Sequence, residues 1–69
     1  MNFFNPGDLV YIPQDVWLHG KNPGTTQKPI IAILLEESEE GSGWYIFVEG
    51  QKKRVAKKYV YPMGEAYAS

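Results

Sequence analysis

Trp44-Tyr45-Ile46-Phe47-Val48-Glu49-Gly50-Gln51-Lys52-Lys53-Arg54-Val55-Ala56 is the stretch on which the fold turns. Its first five residues are all aromatic or β-branched, the types that fit a pleated, half-buried strand. Gly50-Gln51 reads as a two-residue reversal, and Lys52 to Ala56 returns as the partner strand. With Gly50 and Gln51 at the centre of a type II′ turn, Glu49 faces Lys52, Val48 faces Lys53 and Ile46 faces Val55. Ile46, Val48 and Val55 then share the buried face. A turn centred on Glu49-Gly50 is the alternative, setting Trp44 opposite Val55 and Ile46 opposite Lys53. A three-residue bulged turn is also open.

Outward from this hairpin the same vocabulary continues. Glu37-Ser38-Glu39-Glu40-Gly41-Ser42-Gly43 is a polar, glycine-rich turn, preceded by an unbroken apolar strand from Ile30 to Glu36. Asn5-Pro6-Gly7-Asp8 is a turn, and Leu9-Val10-Tyr11-Ile12 is a strand that Pro13 stops. Residues 13 to 29 form a long connection. After the hairpin a short helical turn is expected around Ala56-Lys57-Lys58-Tyr59, then a short strand at Val60-Tyr61 ended by Pro62, and residues 64–69 as a tail. Seven Gly and five Pro interrupt a 69-residue chain too often for long helices, and no helical apolar stripe is sustained. The expected inward set is Val10, Ile12, Ile33, Leu35, Ile46, Val48 and Val55.

These elements imply one all-β domain over residues 1–69, with its core within about 5–63. Five short strands, a long first loop and a 3-10 turn before the last strand make a small barrel. Pro6-Gly7-Asp8-Leu9-Val10 resembles the Gly-Asp-x-Val opening of many SH3-like barrels. Trp44 to Gly50 resembles their central hairpin, and Ala56 to Pro62 their short helical turn leading into strand five. The resemblance covers residues 5 to 63 and extends to the small SH3-like proteins of tailed phages. It implies a small five-stranded SH3-like barrel, and a phage or viral origin. It implies no single function, because small barrels host many unrelated activities.

Several classes of function lack their chemistry. There is no cysteine and a single histidine, His19, so no thiolate or histidine metal centre is expected. No glycine-rich phosphate loop opens a helix. Glu36, Glu37, Glu39 and Glu40 lack the alternating carboxylates of a calcium loop and read as a solvated turn. The expectation is a protein that is not an enzyme and has no cofactor. No apolar run reaches the ~18 residues of a membrane span and no signal peptide is evident, so a cytoplasmic protein or virion component without membrane contacts is expected.

Three binding readings remain. Residues 1–51 hold two lysines against seven carboxylates, whereas residues 52–69 hold five bases against one. Lys52, Lys53, Arg54, Lys57 and Lys58, beside Trp44, Tyr45 and Tyr59, suit a nucleic-acid backbone. The opposing reading pairs these bases with Glu36 to Glu40 in the same molecule, in keeping with a pI of about 5.7. Apolar Val16-Trp17-Leu18-His19 in the long loop is either the lip of a peptide groove, with Trp17 and Trp44 as its aromatics, or a cap over the core. The third reading comes from apolar surplus. Ile30 to Leu35 is hydrophobic at every position, although a strand in a small barrel buries one face. With Ile31, Ile33 and Leu35 inside, Ile30, Leu34, Tyr45 and Phe47 form an outer patch. Phe3, Phe4 and Tyr67 of the tails are one possible cover. The preferred expectation is another chain, most simply a second copy in a symmetric dimer.

Overall fold

The computed structural model describes residues 4–63. They form an all-β domain of seven strands: β1 (Leu9–Ile12), β2 (Trp17–Gly20), β3 (Gly24–Thr25), β4 (Ile30–Glu37), β5 (Gly43–Val48), β6 (Gln51–Ala56) and β7 (Tyr61–Pro62). A 3-10 turn, Lys57–Tyr59, precedes β7, where the helical turn was expected. All pairings are antiparallel, in the order β3-β2-β6-β5-β4-β1-β7. The sheet is therefore open, with two-residue strands at both edges, and is not the expected closed barrel of five strands. Short edges leave little unpaired backbone to recruit another chain.

The two additional strands lie within the long connection. Thr26, buried between them and β1, zips the base of this loop. Its hydroxyl accepts from the Val16 amide at 3.0 Å and donates to the Pro13 carbonyl at 2.7 Å. Backbone bonds from Asp15 to Thr26 and from Thr26 to Val16 complete the closure. Val16 and Leu18 are thereby held in the core. The opening turn also follows its sequence. Pro6 and Gly7 occupy the centre of a type II turn, with Gly7 at φ +94° and the Asp8 amide donating to the Asn5 carbonyl at 3.1 Å.

The hairpin adopts the alternative register. Trp44 lies opposite Val55, Ile46 opposite Lys53 and Val48 opposite Gln51. Glu49 and Gly50 are the central residues, with φ of +53° and +75°. Positive φ at both positions is the type I′ geometry, whose twist matches that of the strands. The expected pairing of Ile46 with Val55 is thus shifted, yet Ile46, Val48 and Val55 are all still buried.

β4 corrects the expected faces. Ala32 and Leu34 point inward, while Ile31 and Ile33 point outward and Leu35 is half-buried. The register slips between Leu34 and Glu36, so Leu35 is the extra residue of a β-bulge. A bulge changes the phase of a strand, and a strand apolar throughout gives no alternation from which to read it. The core comprises Val10, Ile12, Val16, Leu18, Ala32, Leu34, Ile46, Val48, Val55 and Val60, with Phe4, Ile30 and Trp44 against it.

Candidate functional site

The sheet register carries the outer surface. Leu9 lies opposite Ile33, and Ile33 opposite Phe47, making one row across β1, β4 and β5. A second row runs from Tyr61 through Tyr11 to Ile31. Residues directly opposite each other project from the same face, with Cβ atoms about 4.5–5.5 Å apart. Leu9, Ile31, Ile33 and Phe47 are 54%, 46%, 40% and 42% exposed. They form a contiguous apolar surface.

This surface is not composed of the four residues expected. Leu34 has no exposed area and Ile30 packs against the core, both because of the phase of β4. Their places are taken by Ile33 and Ile31. Phe47 is exposed as expected. Tyr45 shares its face, opposite Glu36 and Arg54, but is half-buried beneath the Lys52 ammonium, 4.5 Å from the ring centroid. Of the proposed tail cover, Phe4 packs edge-on against Trp44 at the core margin. Phe3 and Tyr67 lie outside the described residues.

The five bases are dispersed. Lys52 and Arg54 project from the outer face, with Glu36 and Glu40 at 3.7 and 3.8 Å. Lys57 pairs with Glu37 and lies 5.6 Å from the Trp44 ring. Lys53 starts from the core side, opposite Ile46, and donates to the Asn22 carbonyl at 2.8 Å. Lys58 lies over the Tyr59 ring. Acidic side chains thus stand beside three of the five. The two charge runs come together because the acidic turn joins β4 to β5 and the basic strand β6 pairs with β5. Ser38 anchors that turn by accepting from the Gly43 amide.

Trp17 and Trp44 do not share a groove. Trp17 lies two residues before His19, which is opposite Arg54 on the outer face, whereas Trp44 is opposite core Val55. Leu18 and Val16 provide the burial in this segment, leaving Trp17 48% exposed. The Trp17 indole donates to Nδ1 of His19 at 3.3 Å. Ile33 and Ile31 escaped the sequence reading, although the one small residue of the run, Ala32, marked the face where space is tightest.

Among the described residues no group of three or more His, Asp or Glu is placed to hold a metal ion, and no helix is long and apolar enough to cross a membrane. No family model matches the chain, and neither a curated protein nor a solved structure is significantly similar to it.

Proposed function

We propose that this chain is a non-catalytic small β domain of SH3-like type that acts through protein contacts, its first partner being a second copy of itself. The observation that carries the reading is the exposed row Leu9–Ile33–Phe47 across three neighbouring strands. Contiguous apolar surface of this kind usually marks an interface. The SH3-like assignment is supported by the long first connection and by the 3-10 turn immediately before the last strand.

The row is suited to itself. A two-fold axis parallel to β4, lying over Ile33 midway between the two sheets, sets Ile33 against Ile33, and Leu9 of each copy against Phe47 of the other. Sheets packed in this way stand about 10 Å apart and interdigitate their facing side chains. Closed two-fold pairing is also the commonest homo-oligomeric symmetry. The same face would serve assembly into a larger particle, as the resemblance to phage proteins implies. The nucleic-acid and peptide-groove readings have less support, because their residues divide between two faces of the sheet.

Sedimentation velocity across a concentration series tests the proposal. We expect a reversible monomer–dimer equilibrium that Phe47→Glu shifts to monomer without loss of the folded state. A monomer at every concentration would overturn self-association.

A further inference from the structure

Beyond the apolar rows, the outer surface contains a cleft of about 310 Å³ between β2, β6 and β5. His19, Gly20, Tyr45, Lys52, Lys53 and Arg54 line it, and no carboxylate does. The register sets His19 directly opposite Arg54, with Tyr45 on the other side of Arg54. Lys52 is two residues along β6 and therefore on the same face.

The hydrogen-bonding state of these groups is specific. An indole N–H can only donate, so the His19 Nδ1 that receives it carries no proton. The ring's other nitrogen, Nε2, is then the one left to donate. Among the described residues, neither the Arg54 guanidinium nor the Lys52 ammonium makes a hydrogen bond. Glu40 and Glu36 stand 3.8 and 3.7 Å away, outside the about 2.7–2.9 Å of a charge-assisted N–H···O bond. All four side chains are solvent-exposed, and pairs of this type yield readily to a better acceptor.

We infer that this cleft binds the phosphate group of a small ligand. A guanidinium fork, an ammonium and an imidazole N–H, contributed by two strands, match an anion with three or more acceptor oxygens. A carboxylate offers only two. Arg54 supplies the planar bidentate contact, Lys52 a point charge and His19 the third donor. Free phosphate and a nucleoside monophosphate share this chemistry. The exposed indole of Trp17 gives the second a surface on which its ring can stack.

Amide-resolved NMR titration of the full chain with inorganic phosphate tests the inference, with sodium chloride at matched ionic strength as the screening control and acetate as the carboxylate comparison. Saturable shifts are expected at His19, Gly20, Lys52 and Arg54, with acetate weaker than phosphate. Arg54→Gln should weaken phosphate at least tenfold, while Lys58→Gln leaves it unchanged. Should Arg54→Gln not fold, Arg54→Lys carries the test, since it keeps the charge and loses the fork. It too should bind several-fold more weakly. A nucleoside monophosphate that binds more tightly than phosphate, with the gain lost in Trp17→Ala, identifies a nucleotide as the source. Equal affinity identifies free phosphate. Shifts that never saturate, or that chloride reproduces, would overturn the site, as would wild-type affinity in a folded Arg54 variant.

Discussion

A methyl group added at Gly43 would meet the Val55 carbonyl oxygen at 2.7 Å, and a backbone oxygen cannot swing aside. Gly43 is also buried, where β5 leaves the acidic turn. We expect Gly43→Ala to lower stability by about 1–3 kcal/mol, the range for overpacking a dense interior, measured as a lower urea midpoint. Thr26 makes a second prediction at this scale. Its hydroxyl serves the Val16 amide and the Pro13 carbonyl at once, so Thr26→Val keeps the shape and leaves both groups without that partner. A loss of about 1–3 kcal/mol is expected, together with faster amide exchange at Val16. Nothing adjacent in sequence advertises Thr26, because its partners lie ten and thirteen residues away.

At the scale of the element, β4 is the test. Leu34 is fully buried and Ile33 is 40% exposed, although neighbours in a run apolar from Ile30 to Leu35. Leu34→Ala should cost about 2–5 kcal/mol, enough to unfold much of a marginal domain. Ile33→Ala should cost under ~1 kcal/mol in the monomer, as for an exposed position. Equal melting temperatures for the two would show that the bulge is misplaced. The β5–β6 hairpin offers a stabilising change. Glu49 holds a left-handed conformation that costs an L-residue roughly 1–2 kcal/mol, and Asn tolerates it better. Glu49→Asn should therefore raise the urea midpoint, by roughly 0.5–1 kcal/mol of stability. Gly50-Gln51 looked like the turn because glycine opens a type II′ pair. The type I′ turn instead uses glycine second and places a strained Glu first.

For the whole molecule, the two-fold arrangement makes a demand that a generally sticky surface does not. Position 9 of one copy faces position 47 of the other, so Phe47→Glu and Leu9→Lys should each abolish association. The double variant should restore dimers, through ion pairs that weaken as salt rises. Sedimentation at low and high salt checks this. Restoration that is absent at low salt rejects the axis, even if self-association itself survives.

The strand at Leu9–Ile12, the Trp44–Val48 segment and the 3-10 turn at Lys57–Tyr59 were legible in the chain itself. Their causes are local: β-branched and aromatic side chains, a Pro-Gly turn, and Pro13 and Pro62 as stops. So was the existence of an apolar surplus, since a strand that buries one face cannot place every residue of the all-apolar run from Ile30 to Leu35 in the core. Which residues carry that surplus was decided only by tertiary structure. The bulge at Leu35 and the pairing of Leu9 with Ile33 set the phase of β4, and a pattern without alternation holds no record of either. The same is true of β2, whose pairing with β6 joins His19 to Arg54 across 35 positions of sequence. Contacts of that separation depend on the closed loop and the packed core, and neither exists until the chain has folded.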